Sequence, residues 1–393
     1  MGNRYSLQEV AGRKEKQEFL DFPARLYQKD KNWIRPLDDE VNKVFDPKRN
    51  KLFRNGEAIR WLLKDATGKT VGRMAAFYDK RTSRKHSQPT GGIGFFDCID
   101  DQSAANILFD AGKEWLKSKG MEAMDGPVNF GDRDNFWGCL KEGFYENTFN
   151  MNYNFPYYNK LFENYGFKNY FNQYVYYKNI AEGASEVAHQ KALRVLKNPD
   201  YTFDIFRWKR FEQYASDFLS IYNKAWARFP GVTAMRLPQA KALLYSLKPV
   251  IDERAVIFGY YKKEPIAFYI MIPDINQIIR SFNGKLHWLN KIRLYLGLKV
   301  FRKTNRLLGL IFGVVPEQQG KGVESALIQR FEDETKKPGF PYVHLEMNWI
   351  GDFNPAMMKM VERYVEARIY KTYVTYRYLF DRTKEFRRAP VVG

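Results

Sequence analysis

Alternating strand-like and helix-like segments predict a layered α/β (α+β) protein of two tandem domains, each a mixed, mostly antiparallel sheet flanked by helices. Three observations carry this. The order of elements is the same in both halves, a weak repeat relates them at a spacing of 199 residues, and near position 320 a strand runs through a glycine-bearing turn into a helix. The repeat sets Glu163, Tyr165, Tyr174, Val175 and Tyr177 against Glu362, Tyr364, Tyr373, Val374 and Tyr376.

Each half opens with a short strand and an amphipathic helix, Lys14 to Tyr27 and Arg210 to Ala227. The second of these carries Phe211, Tyr214, Phe218, Ile221, Tyr222 and Ala225 on one face. Paired apolar runs around tight turns then predict hairpins: Ile59 to Leu63 and Val71 to Tyr78 around Gly68, and Ala255 to Tyr261 and Ile266 to Ile272 around Lys263. In the first half there follow Ile93 to Ile99, a helix from Gln102 to Lys119, a strand around Met124, a helix over Tyr157 to Tyr165, and Phe171 to Tyr177. Their counterparts are Leu308 to Val315, Val323 to Thr335, Tyr342 to Met347, Ala356 to Ala367 and Thr372 to Phe380. Asn198-Pro199-Asp200 interrupts a helical run, so residues 181–202 read as a linker between domains 1–180 and 203–393.

Cys98 and Cys139 are the only cysteines, and no Cys/His spacing resembles a zinc site, so neither a disulfide framework nor a metal is expected, and a reducing compartment is. The sequence shows no secretory signal and no apolar run long enough to span a bilayer, which points to the cytoplasm. A net charge of +19 with 17% aromatic residues suits a chain that meets phosphates, on a nucleotide, a nucleic acid or a lipid surface. Charge does not choose among these.

The run from Leu308 to Leu327 contains Val314-Val315-Pro316-Glu317-Gln318-Gln319-Gly320-Lys321-Gly322-Val323. A strand feeding such a turn into a helix presents backbone N–H groups and the positive end of the helix dipole to an anion. This run resembles the acetyl-CoA motif of the GNAT acyltransferases, with Glu324 where that family keeps a small residue. The resemblance implies two tandem GNAT domains, acyl-CoA or acetyl-CoA as co-substrate, phosphates at Gln319, Gly320, Lys321, Gly322 and Val323, and an oxyanion donor from the backbone of Val314 or Val315. In the first half the equivalent turn is Asp100-Asp101, which repels a phosphate. That half keeps Asn154 to Phe167, similar to another GNAT element, and would shape the acceptor pocket. The blocks Gly126 to Phe130, Tyr153 to Tyr158, Leu247 to Asp252 and Tyr370 to Tyr373 resemble the bacterial ceramide synthase-like group of double-GNAT proteins. This implies acyl transfer from CoA to a long-chain or sphingoid-base amine.

Such a reaction needs a base, oxyanion donors and a proton for the departing thiolate. Alternation on the strand from Tyr342 places His344, Glu346 and Asn348 on one face. Glu346 is the candidate base, its alternative role being a partner for an arginine such as Arg363. Where the family carries an acidic tyrosine this chain has Met360-Val361, leaving Tyr364 or Tyr370 as substitutes. The long insertion between Gly126 and Phe155 is the candidate acceptor element, with Asn129, Arg133, Asn154 and Tyr157, together with Asn348, as substrate-binding candidates. From Ile275 to Pro316 there is no acidic residue, while eight cations interleave with apolar residues at helical spacing. The stretch 285–306 is therefore a candidate for peripheral contact with the inner face of a membrane, or for packing between domains. Lys80 to His86 forms a second basic loop. The competing functions are a Fem-like transferase using aminoacyl-tRNA and an inactive acyl-CoA or lipid-binding protein. Nucleic acid is not the favoured partner, and the sequence does not disclose an oligomeric state.

Overall fold

A computed structural model describes residues 4–83, 88–226 and 234–391. Residues 84–86 of the second basic loop, and Ala227 at the end of an expected helix, lie outside that set. The strands are β1 (Tyr5–Glu9), β2 (Gly56–Asp65), β3 (Thr70–Asp79), β4 (Thr90–Cys98), β5 (Ala123–Gly126), β6 (Cys139–Glu142), β7 (Lys168–Asn179), β8 (Tyr201–Ile205), β9 (Val256–Tyr261), β10 (Glu264–Pro273), β11 (Arg306–Val314), β12 (His344–Gly351) and β13 (Arg368–Leu379). They form one continuous sheet in the order β1-β2-β3-β4-β5-β13-β7-β12-β11-β10-β9-β8, with β6 alongside β13.

The hairpins fall where the apolar runs place them. Tyr261 pairs with Glu264, and the two residues between, Lys262 and Lys263, both have positive φ, the twist that a tight two-residue hairpin requires. In β3, Arg73 faces Phe19 of α1 (Arg13–Leu26), while the next residue, Met74, faces Gly112 of α2 (Gln102–Ser118). The sheet is thus covered on both sides, and β3 is buried along its length. The second half repeats the arrangement. Phe268 packs on Phe218 of α5 (Phe211–Trp226), and Tyr269 faces Phe331 of α7 (Val323–Thr335). Three further helices matter below: α3 (Tyr157–Tyr165), α4 (Glu186–Leu196) in the expected linker, and α6 (Trp288–Lys299). The helix expected over Ala356 to Ala367 is shorter: α8 (Pro355–Met360) passes into a π turn, Val361–Val365.

The order of strands holds one feature that local sequence patterns do not reveal. The last strand of each half is exchanged: β13 completes the first half's sheet by pairing with β5, and β7 completes the second half's by pairing with β12. The two crossing strands pair antiparallel from Arg368↔Tyr177 to Arg377↔Lys168. The repeated glutamates have a physical reason, although the tyrosines that bind them are not themselves a repeated pair, since Tyr376 matches Tyr177. Tyr376, on β13, donates to Glu163 of α3 (2.8 Å), and Tyr176, on β7, donates to Glu362 (2.7 Å). Each of the repeated glutamates receives a tyrosine from a strand lent by the other half.

Among the described residues, no helix is long and apolar enough to cross a membrane. The exchange also predicts a folding behaviour. Residues 4–200 expressed alone lack β13 and expose the edges of β5 and β7, so they should give no cooperative unfolding transition. Co-expressed with residues 201–391 they should recover the native circular dichroism spectrum, and cooperative folding of either piece alone would contradict the exchange.

Candidate active site

The parallel pair β11–β12 holds register only from Arg306↔His344 to Gly309↔Met347. Beyond that both strands carry an irregularity. Leu310 is an extra residue against β10, since Gly309 pairs with Met271 and Ile311 with Ile270. Asn348 and Trp349 together oppose the single residue Val175 of β7, between Met347↔Tyr176 and Ile350↔Tyr174. Facing bulges bend the strands apart. The gap opens into a cavity of about 540 Å³ lined by Leu310, Phe312, Ile328, Phe331, Met357 and Met360, among other largely apolar residues. Such a slot suits an extended, mostly apolar ligand with a few polar groups for orientation.

At the end of β11 the chain passes through Pro316–Gln318 and reaches α7 with Gly320 and Gly322 both at positive φ (71° and 92°). The two glycines have different reasons. A side chain at Gly320 would meet open space, whereas one at Gly322 would press on the Lys191 carbonyl and Val195 of α4, which lies across the start of α7. Glu324 folds back so that its carboxylate accepts from the Gly320 N–H (3.3 Å), an anion already placed where the turn offers a donor. Gln319 donates to the Val314 carbonyl (3.0 Å), Lys321 is exposed, and the Val323 side chain is in the core. The Val315 N–H is committed to the Ile266 carbonyl (2.9 Å) and is therefore no oxyanion donor. Antiparallel alternation turns the N–H groups of Phe312 and Val314 the other way, toward the gap.

The first half has closed its equivalent site. The Asp101 carboxylate caps α2 by accepting from Ser103 and Ala104 N–H, the positions an anion would need, and Tyr158 accepts the Cys98 N–H (3.0 Å) beside Asp97 and Tyr27. A void of about 60 Å³ remains.

Several residues expected at the site are elsewhere. Glu346 is buried outside the cavity lining, bound to Lys371 (2.7 Å) and Arg306 (3.2 Å) rather than Arg363. Arg306 also holds Asp274 (3.1 Å), whose complete burial lifts its carboxyl to about 6 against the pull of Arg306. Both oxygens of Glu346 are thus taken by cations within the core, and the residue ties β12 to β11 and β13 as a structural pivot. Tyr364 turns away to Lys191 of α4, and Tyr370 stacks on Tyr145 at 4.3 Å; neither lines the cavity. Asn154 spends both ends of its amide on the backbone of Leu140 and Phe155, Asn129 bonds the Asp132 carbonyl, and Tyr157 donates to the Cys98 carbonyl. Asn129 and Asn154 thus shape the insertion from within, and Tyr157 ties α3 to the end of β4.

Other candidates do meet. Asn348 lines the cavity at the β12 bulge, and its side-chain oxygen is buried without a hydrogen-bond partner among the described residues. The insertion crosses to the second half, where the Arg133 carbonyl accepts from Trp349 Nε1 (3.1 Å) and brings Arg133 and Asp134 to the cavity mouth. The Asp134 carboxyl is raised to about 6, by desolvation first and by Asp132 second, while Arg133 opposes the shift and solvent still reaches the residue. Tyr269 lies at the inner end next to Gly309, where a side chain would approach its hydroxyl to 3.1 Å, and burial raises its pKa. Its signal in the sequence was faint, a single tyrosine in an otherwise apolar central strand.

Two bulged, diverging strands ahead of a glycine turn, present in one half and degenerate in the other, define the class. The solved structures agree on the fold. A tandem GNAT protein from the clavulanic acid biosynthesis pathway superposes with a TM-score of 0.53 at 8% identity, over 96% of this chain and 98% of that one. A GCN5-related N-acetyltransferase from Sphaerobacter thermophilus gives 0.51 at 10% identity, over 97% of each. The fold is therefore that of two GNAT-type units in tandem. No protein-family model matches the sequence. In sequence it is similar to the bacterial ceramide synthase of Caulobacter vibrioides, 29% identical over 371 residues that cover 92% of this chain and 94% of that one.

Two outcomes follow from the geometry. Glu324→Ala removes a carboxylate from the mouth of the turn, and calorimetric titration with CoA should show binding tighter by about 1 kcal/mol, roughly fivefold; unchanged binding would mean that phosphates do not use this turn. Lys371→Met leaves buried Glu346 with Arg306 as its one remaining cation and should cost about 3 kcal/mol in denaturant unfolding, whereas a loss below about 1 kcal/mol would contradict the pivot.

Proposed function

We propose that the protein is an acyl-CoA-dependent N-acyltransferase that forms an amide on a long-chain amine, a sphingoid base being the favoured acceptor, and that it works in the cytoplasm at the inner face of the membrane. The observation that carries this is the largely apolar cavity in the β11–β12 gap, which reaches from β11 and α7 to Arg133 and Asp134 of the first half's insertion. The name of the Caulobacter relative supports the acceptor class.

In this reading the donor's phosphates lie at residues 319–323 and its thioester in the gap, with the N–H of Phe312 or Val314 donating to the carbonyl oxygen as it becomes an oxyanion. Asn348 orients the amide or amine through its buried side-chain oxygen. Asp134 holds the acceptor ammonium at the mouth and takes a proton from it, directly or through water. The amine nitrogen then bonds to the thioester carbon, the C–S bond breaks, the departing thiolate takes its proton from Tyr269, and the second proton that the nitrogen sheds as it becomes an amide returns to Tyr269 through water. Arg133 faces the same mouth and suits a polar head on the acceptor. The contact between Glu324 and Gly320 favours one other reading, an acyl-CoA-binding protein without turnover.

Palmitoyl-CoA and sphinganine incubated with the protein should give the N-palmitoyl amide by mass spectrometry, with release of free CoA thiol. No amide across several acyl lengths and amines, with CoA still bound, would select the inactive reading. Tyr269→Phe should lower kcat by about 10²–10⁴-fold without weakening CoA binding. Since Asp134 acts deprotonated, kcat/KM should fall as pH drops through about 6, and Asp134→Asn should abolish that limb of the profile.

A further inference from the structure

Helix α6 is apolar on both sides, and only one side is covered. Its inner face sets Leu294 and Leu298 against Ile278, Ile279 and Phe282, with Gly297 allowing close approach to Ile278. The root of the segment is fixed to the first half, where Lys285 pairs with Asp38 and the Gly284 carbonyl accepts from the Asp38 N–H (2.8 Å). The helix is therefore held firmly from within. At 100° per residue, Trp288, Leu289, Ile292, Tyr295 and Leu296 form a stripe on the opposite face, and Phe301 follows just beyond the helix. Trp288 is 68% exposed, Tyr295 59% and Phe301 62%. Burying such rings is the ordinary use of this chemistry, so a contiguous exposed stripe marks a contact surface.

Charge selects the partner. Lys291 and Arg293 flank the stripe on its two sides, and Arg302 and Lys303 follow at the end of the helix. None of the four has an ion pair with a carboxylate among the described residues, and no acid occurs between Ile275 and Pro316. Aromatic and aliphatic residues on one face, bordered by lysine and arginine, suit the boundary between acyl chains and anionic headgroups. The place in the fold is also apt. The segment joins β11 at Arg306, the end of that strand remote from the glycine turn. A donor anchored by its phosphates at the turn and extended along β11 points its acyl end toward the side where α6 lies.

We propose that α6 and the residues up to Lys303 form a peripheral membrane-docking surface that inserts Trp288, Ile292, Tyr295 and Phe301 into the interface of an anionic bilayer. This deepens the reading of a lipid-directed enzyme, yet it is measured without turnover. Vesicle binding without acylation counts against that reading alone, and acylation of dispersed substrates without vesicle binding against this proposal alone.

The test is co-sedimentation of the full chain with vesicles of phosphatidylglycerol and phosphatidylcholine, beside vesicles of phosphatidylcholine only. The wild type should partition at least tenfold more onto the anionic vesicles, less so at high salt. The double variant Trp288→Glu/Ile292→Glu, with its melting temperature showing that it is folded, should lose that binding, and Lys291→Glu/Arg293→Glu should lose the preference for anionic lipid. Wild type left in the supernatant, or the first variant sedimenting as well as wild type, would overturn the proposal. So would a dimer in analytical ultracentrifugation that the first variant dissociates while neither protein binds vesicles, since a second copy would then be what covers the helix.

Discussion

The antiparallel pairing of β7 with β13 is the constraint on which the rest of the structure depends. It joins two half-sheets into one and obliges each half to complete the other. It also brings together charges that would be ruinous apart. Lys371, on β13, reaches Glu346, on β12, which in turn shares Arg306 with Asp274. A buried cluster of this kind earns little stability by itself, but removing one member leaves uncompensated charge in the interior. The cluster therefore acts as a register mark: the strands are fully satisfied only when the exchange is correct.

The same crossing explains how one site is built from two halves. Because β7 borders β12, the bulge at Asn348 and Trp349 opens against a strand of the first half, and the insertion that precedes β7 is carried over the gap to meet Trp349. The first half closed its own gap with Tyr158 and its own turn with Asp101, so what it contributes to the second is a wall and a mouth.

The layered fold, both hairpins, the glycine turn and the closure of the first half's turn by acids were legible in the sequence, because each rests on local periodicity or on charge within a few residues. The exchange was not, since β7 and β13 look alike in composition and pairing between distant strands leaves no local mark. The site was legible only in part. Glu346 drew attention as a carboxylate in a central strand, a pattern equally suited to a base and to a buried ion pair, and the partners that decide between them, Lys371 and Arg306, lie far along the chain. Tyr269 leaves little mark in the sequence, and Asp134 only its place in the insertion, because a cavity lining is set by which strands diverge, and divergence here comes from bulges that sequence pattern does not locate. Asn348, read from strand alternation, does line the cavity, although it is the bulge rather than simple alternation that turns it there.

The central claim is that a long-chain acyl-CoA occupies the gap between β11 and β12 and reaches the first half's insertion. Amide hydrogen exchange with and without palmitoyl-CoA addresses it most directly. The account predicts added protection at residues 310–314, 320–323 and 347–351, together with 131–137 from the other half, and none at the first half's turn, residues 99–104. Protection confined to 99–104, or absent from 310–314 and 347–351 under saturating ligand, would contradict it.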